Sequence, residues 1–406
     1  MDQETLFAAA LGIAPPWQVT SVSFSVEKKR LDINIDFPRG SVFPCPVCGK
    51  EVKAYDTKEE EWRHLNFFQY EAYLHARVPR VQCPTDGCGI KKIEVPWSRP
   101  GAGFTLLFEA FVMALVRQMP VKAAAAILGT HDTRLWRVID HYVAVARESI
   151  DCSKVTRLGI DETSAKKGQD YISLFYDVDE KRLLFGTPGK DNATVKAFTE
   201  DLKAHKGDPE NIEAVCIDMS KAFIKGVTEA FPKAEITFDP FHIIQHMNDA
   251  LGKVRAEDAK LFPELMRNSR YAYLKNPENL NEKQDETLVK LSHYRLKTGR
   301  AYLIKLALQD VYLAPTREVA EGLLTKWYSW ATRCQIEQIK SVAKMVKNHW
   351  AGILSWFDSQ LSNGFLEAIN GLIQAAKARA RGYRSTKNLI NMAYLIAGKL
   401  EFGLPT

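Results

Sequence analysis

VTRLGIDETSAKKGQDYISLFYDVD, Val155 to Asp179, decides how the second half of this chain folds. An apolar run ends on Asp161 and Glu162, crosses a polar turn from Thr163 to Gln169, and resumes as the alternating run DYISLFYDV. Two short β runs around a polar turn predict a hairpin whose first strand closes on Asp161. A carboxylate in that place is either a solvated turn residue or a metal ligand, and its partners decide between the two. Glu162 is next to it and, by strand alternation, faces the other side unless it serves as an auxiliary acid.

Working outward, KRLLFGTP predicts a third strand, followed by a helix from Asn192 to His205, the strand IEAVCID, the helix SKAFIKGVTEAF and the short strand AEITFD. Three strands and a helix, then alternating strand and helix, make an α/β arrangement on a mixed sheet. From 241 to 358 the chain reads as nearly continuous helix, and Ser362 to Leu400 as two more helices. Upstream, 104–150 is helical, and the first 100 residues alternate as short strands around polar turns. The expected class is multidomain α+β. Its parts are a β-rich module (1–100), a helical module (101–152), an α/β core (153–240 and 359–406) and an all-helical insertion (241–358).

The chain has 406 residues, a formal charge of +6 and a pI near 8.8, a balance that suits a polyanionic partner without requiring one. No apolar run is long enough to span a bilayer, and MDQETLFAAALGIAPPW is acidic where a secretory signal is basic, so a cytoplasmic location and no membrane partner are expected. Seven cysteines are present. Cys45 and Cys48 lie in FPCPVCGK, Cys83 and Cys88 in CPTDGCG, and each pair can grip one side of a tetrahedral thiophilic ion. Structural zinc is the expected occupant, against free thiols as the alternative. His64 and His75 lie between the pairs, but four sulfurs already complete the coordination. Cys152, Cys216 and Cys334 read as plain thiols.

In VKAAAAILGTHDTRLWRVIDHYV a small-residue helix meets a Gly-containing turn and a second helix opened by Thr130 or Asp132. This order fits a helix-turn-helix or an ordinary helical hairpin. In the first case Thr133, Arg134 and Arg137 face a DNA groove, while Ala125, Ile127, Leu128, Leu135, Trp136 and Ile139 pack the pair together.

Asp218 closes IEAVCID as Asp161 closes VTRLGID, so neighbouring strands would bring both carboxylates to one sheet edge. In SNGFLEAINGLIQAAKARARGYR, Glu367, Asn370, Gln374, Lys377 and Arg381 form a polar stripe, and Leu366, Ile369, Ile373 and Ala376 an apolar one. A solvated amphipathic helix explains the stripe, but not the crowding of Lys377, Arg379, Arg381, Arg384 and Lys387 behind a single acid. Three converging carboxylates repel unless hard divalent cations lie between them. Two magnesium ions, with manganese as a substitute, would suit displacement at phosphorus, and the nearby cations would hold a phosphodiester backbone.

With these residues in view, the chain resembles a bacterial insertion-sequence transposase of the DDE type, and more narrowly the ISL-three family. The resemblance covers nearly the whole chain, through the paired cysteines, EWRHLNFFQYEAYLHARVPRVQCPTDGCG, VPWSRPGAGFT, the helix-turn-helix, GIDETSAKKGQDY, CIDMSKAFIKGVTEAFPKAEITFDPFHIIQHMNDAL and FLEAINGLIQAAKARARGYR. It implies an RNase H-like catalytic core interrupted by a helical insertion, with the family's aspartates at Asp161 and Asp218 and its glutamate at Glu367. An Asp-x-x-His signature falls on Asp239 and His242, the histidine either catalytic or packed in the core. The implied reaction is cleavage at the element's ends, bound through terminal inverted repeats, then attack of the freed 3′-hydroxyls on target DNA. A homodimer on double-stranded DNA is the simplest assembly, and a nucleoid-associated location follows. Lys166 and Lys167 either touch DNA or are solvated. The alternatives are an RNase H-like nuclease or resolvase and a transposase-derived regulator that binds DNA without catalysis.

Overall fold

Apolar residues at every second position, Leu31, Ile33 and Ile35, give a buried face to the strand Arg30–Asp36, and the same alternation runs along Glu71–Cys83. A computed structural model describes residues 2–166, 170–361 and 363–405. The chain divides into two compact units, Met1–Tyr142 with Glu401–Thr406, and Val143–Leu400.

The first unit begins with α1 (Gln3–Leu11), β1 (Gln18–Ser25), β2 (Arg30–Asp36), β3 (Val42–Pro44), β4 (Glu51–Arg63), β5 (Glu71–Cys83) and β6 (Gly89–Lys92). The sheet has six strands in the order β1-β2-β5-β4-β3, with β6 paired to β5. Its core holds Trp17, Trp62 and Trp97, with Trp97 edge-on to both other indoles. Three helices follow, α2 (Leu106–Val116), α3 (Val121–Ile127) and α4 (Asp132–Glu148). Thr105 caps α2 by accepting from the Phe108 N–H, and the fully buried Glu109 is ion-paired to Arg99 at 2.8 Å. The last residues return to this unit, where the Arg117 guanidinium lies 5.2 Å from the Phe402 ring.

The second unit contains β7 (Arg157–Ser164), β8 (Tyr171–Asp177), β9 (Arg182–Pro188), α5 (Asn192–Ala204), β10 (Ala214–Ile217), α6 (Lys221–Ala230) and β11 (Glu235–Phe238). Its five-stranded sheet has the order β11-β10-β7-β8-β9. β8 is antiparallel to both β7 and β9, whereas β10 runs parallel to β7 and to β11. One expectation changes. β7 does not end on Asp161 but continues to Ser164, because β8 pairs with it out to Ser164↔Tyr171. On its other side β10 pairs only as far as Gly159, so Asp161 sits in mid-strand just beyond the point where one neighbour stops. The turn is thus shorter than Thr163 to Gln169; Lys166 is exposed, and Lys167, Gly168 and Gln169 lie outside the described residues.

The stretch 241–358 is helical, as α7 (Pro240–Leu261), α8 (Arg270–Leu274), α9 (Glu282–Ser292), α10 (Lys297–Val311), α11 (Arg317–Arg333), α12 (Glu337–Asn348), α13 (Trp350–Leu354) and α14 (Trp356–Ser359). One apolar core runs from Leu158, Val215 and Phe238 in the sheet through Ile243 and Met247 to Val346 and Ile353. Gly352 shows how close the join is, since a Cβ there would come within 2.5 Å of the Phe238 ring. Two helices complete the unit, α15 (Gly364–Arg379) and α16 (Thr386–Ala397). α15 lies close to β7 because residue 159 is glycine; a Cβ at that position would meet a Leu366 methyl at 2.8 Å. No described helix is long and apolar enough to cross a membrane.

Candidate active site

Sheet order decides which acids meet. β10 lies beside β7, so Asp218, the first residue beyond β10, emerges near Asp161. Asp218 is partly buried and accepts a hydrogen bond from the Ser220 N–H at 2.9 Å, which orders the turn into α6. Asp239 follows β11 and caps α7, accepting from the Phe241 N–H at 3.3 Å. His242 stands in the first turn of α7 and Glu367 in the first turn of α15. Donor atoms of Asp239, His242 and Glu367 all lie within 4.8 Å of one another, a group to which sequence reasoning assigned only the last two.

The electrostatics tie the remaining acids to this group. Burial pushes the Asp161 carboxyl up to about 6, and the Asp218 charge pushes the same way. Glu367 is raised by burial and then by Asp239 and Asp161; Asp239 is raised by burial. Glu162 is raised by burial and by Asp218, so its carboxylate lies within the field of the group. Asp239 Oδ2, His242 Nε2 and Glu367 Oε1 are buried without a hydrogen-bond partner. Each such atom costs about 1–3 kcal/mol if it stays unpaired. Raised carboxylates with orphaned oxygen atoms are the donor set of a hard divalent cation, and the carboxylates present fit one.

α15 packs on the sheet with Glu367 in its first turn. Its polar stripe is turned onto β7: Asn370 Nδ2 donates to Asp161 Oδ2 at 2.5 Å, and Gln374 Nε2 donates to Thr163 Oγ1 at 2.7 Å. Lys377 Nζ donates to the Ser164 carbonyl at 2.6 Å and to Gln374 Oε1 at 3.1 Å. Lys377, grouped by sequence with the DNA-facing cations, is thereby engaged by the unpaired edge of β7. Arg379, Arg381 and Arg384 are exposed.

In the first unit, Cys45 and Cys48 flank the turn between β3 and β4, while Cys83 ends β5 and Cys88 precedes β6. Gly49 at φ +74° and Gly87 at φ +82° make those turns possible. All four sulfurs lie within 4.8 Å of one another, and Cys48 and Cys83 are 3.6 Å apart. Ligands at ~2.3 Å from one tetrahedral ion are separated by about 3.8 Å, so the quartet fits zinc. The Lys50 N–H favours the Cys48 thiolate, lowering it to about 6, whereas burial and the neighbouring thiols push Cys88 up to about 12. Four thiolates cannot share this space without a cation. His64 is not among them: its Nδ1 lies 2.9 Å from Thr105 Oγ1, and burial lowers its pKa to about 4. His75 pairs with Asp32 at 2.6 Å on the sheet surface.

Leu128, Leu135 and Ile139 are buried as expected, but Ile127 is exposed. Thr133, Arg134 and Arg137 are on the exposed side of α4. Arg134 is partly held by its own unit, stacked 4.0 Å from the Phe104 ring and donating to the Gly103 carbonyl at 3.1 Å.

A DDE family model of ISL3 type, described as transposase, matches residues 158–393, more than half of the chain. A helix-turn-helix domain of transposase family ISL3 matches 93–143, and a zinc-finger of transposase IS204/IS1001/IS1096/IS1165 matches 41–88. The transposase for insertion sequence element IS1557 of Mycobacterium tuberculosis is 29% identical, covering 97% of this chain and 96% of its own length. The transposase for insertion sequence element IS1001 of Bordetella parapertussis is 27% identical over 86% of this chain and 87% of its own. A solved simian T-cell lymphotropic virus intasome, in complex with PP2A regulatory subunit B56 gamma, shows 12% identity over 43% of this chain and 69% of that chain, with a TM-score of 0.17 that carries no argument.

Proposed function

The chain belongs to the ISL3 family of transposases, a DDE enzyme with a helix-turn-helix domain and a zinc ribbon, and from that premise we propose that Asp161, Asp218 and Glu367 are its catalytic carboxylates. The observation that carries this reading is the like-charge crowding in which the Asp218 charge raises Asp161 and the Asp161 charge raises Glu367, while Glu367 Oε1 is buried without a hydrogen-bond partner. The sheet order, three antiparallel strands with two parallel ones on the first, supports an RNase H-like core, and 241–358 the insertion that interrupts it. The four-part division 1–100, 101–152, 153–240 with 359–406, and 241–358 remains our proposal for the functional modules.

Asp161, Asp218 and Glu367 would hold two divalent cations, magnesium by the hardness of the oxygen donors. Bound there, the ions would supply activation of the attacking water or 3′-hydroxyl and stabilisation of the leaving oxygen at phosphorus. The chain's own groups do the rest. Asp239, as the N-cap, fixes the first turn of α7 so that His242 Nε2 points into the group, where it donates a hydrogen bond to the scissile phosphate. Arg379, Arg381 and Arg384 hold the phosphodiester backbone, and Thr133 and Arg137 on α4 contact the terminal inverted repeats, with Arg134 braced behind them. Zinc on Cys45, Cys48, Cys83 and Cys88 rigidifies the turns of the first sheet. Cleavage at both element ends and joining to target DNA are most simply done by a homodimer. The test is strand transfer: DNA flanking the gene, incubated with the protein and magnesium, yields joined products. Cut ends that are never joined would place the chain among nucleases.

A further inference from the structure

We propose that Asn370 is a positioning residue that orients Asp161 from the helix carrying Glu367; the inference rests on reading Asp161 as a metal ligand. Asn370 lies three residues beyond Glu367 and so on the same face of α15. Its Nδ2 donates to Asp161 Oδ2 at 2.5 Å, and its Oδ1 accepts from the Tyr176 hydroxyl at 3.2 Å. Tyr176 is fully buried on β8, directly opposite Gly159 of β7. The amide is therefore held from behind by a rigid strand and cannot flip without stranding a buried hydroxyl.

The need for such a device follows from the pairing of β7. Its Arg157 carbonyl accepts from Val178, so by alternation the backbone groups of Glu162 and Ser164 point away from β8, toward the side where β10 has already stopped. There the Glu162 N–H is taken by Asp161 Oδ1 at 2.8 Å, and the Ser164 carbonyl by Gln374 at 2.9 Å and Lys377 at 2.6 Å. α15 thus supplies with side chains the partners a missing strand leaves unmet. One rung of that ladder ends on the Asp161 carboxylate. With Oδ1 on a backbone amide and Oδ2 on Asn370, both carboxylate oxygens are fixed in direction, leaving their remaining lone pairs for an ion. The same helix fixes Glu367, so one rigid body sets both acids.

The test titrates Mn2+ into the full-length protein by calorimetry and follows DNA cleavage against Mn2+ concentration. Asn370→Ala should keep cooperative unfolding, at a somewhat lower temperature because the Tyr176 hydroxyl loses its partner, and normal DNA binding, while Mn2+ affinity falls about 10- to 100-fold and cleavage recovers at correspondingly higher Mn2+. Tyr176→Phe, which removes only the hydroxyl behind the amide, should show a smaller loss in the same direction. Asp161→Asn in the same titration separates the two ideas. If it loses Mn2+ binding while Asn370→Ala and Tyr176→Phe bind as wild type, the positioning role is overturned and the site stands. If Asp161→Asn itself binds Mn2+ normally, the reading of the site falls, and this inference with it.

Discussion

The thiol quartet and the carboxylate group are both donor sets for cations, yet they are built in opposite ways. The quartet comes from two tight turns of one sheet, with two residues between the cysteines of FPCPVCGK and four between those of CPTDGCG. The acids come from β7, the end of β10, the cap of α7 and the first turn of α15; the bond that joins the first and last of these spans 209 residues. The quartet would spend all four sulfurs on one ion and leave no open position. The carboxylate group keeps Asp239 Oδ2, His242 Nε2 and Glu367 Oε1 without partners. A closed soft site holds a fold together, whereas an open hard site has room for a substrate.

The contrast breaks first if the carboxylates are dispensable. Asp161→Ala, Asp218→Ala and Glu367→Ala should each lower DNA cleavage by about 10³-fold, equivalent to about 4 kcal/mol, with DNA-end binding retained. Near-normal cleavage by any one of them removes that residue from the centre. Cys45→Ser should do the reverse. It should release one equivalent of zinc and destabilise the first unit by about 4 kcal/mol, with the loss appearing in DNA-end binding. A zinc-replete, normally folded variant would refute the quartet.

A third prediction concerns pH. Asp161 titrates at 3.8 when unfolded and is pushed up to about 6 in the fold, so its neutral form is the one the folded state favours. Without metal, stability should therefore fall as pH rises from about 4 to 6, by at most about 3 kcal/mol, and stay level above. Urea unfolding at pH 4.5 and 7 reads this slope; Asp161→Asn should flatten it, and Mn2+ at pH 7 should restore stability in the wild type alone. An unchanged slope in Asp161→Asn would mean that other groups carry it. The smallest effect separates the cations of α15 and the turn beyond it. Arg381→Ala should reduce the salt-dependence slope of DNA binding by about one unit. Lys377→Ala should leave the slope alone, since its ammonium is bonded to Ser164 and Gln374. Equal slopes for the two variants would erase the distinction.

Much of this was legible in the residues themselves. Strand and helix order in the second unit followed from alternation and helical spacing, and the thiol quartet from its local motif. Asp161, Asp218 and Glu367 could be named because they stand in motifs that resemble a known family, although Asp161 lies within its strand and not at its end. The stripe on α15 was legible from its spacing, but that Asn370, Gln374 and Lys377 bond the β7 edge was not, because the edge they meet is far away in sequence. Asp239 was seen only as half of a signature, since an N-cap aspartate looks the same with or without a free oxygen aimed at a histidine.

Spacing of a few residues along one backbone determines where two thiols on a tight turn can go, so the sequence by itself settled the quartet and the succession of elements. The tertiary structure alone decided that β10 stops at Gly159 while β7 continues to Ser164, and that Gly159 lets α15 come close enough for Asn370 to reach Asp161. Pairing length and helix approach depend on groups far apart in the chain. No local pattern carries that information, because the side chains that complete the edge of β7 meet it only after the sheet has formed.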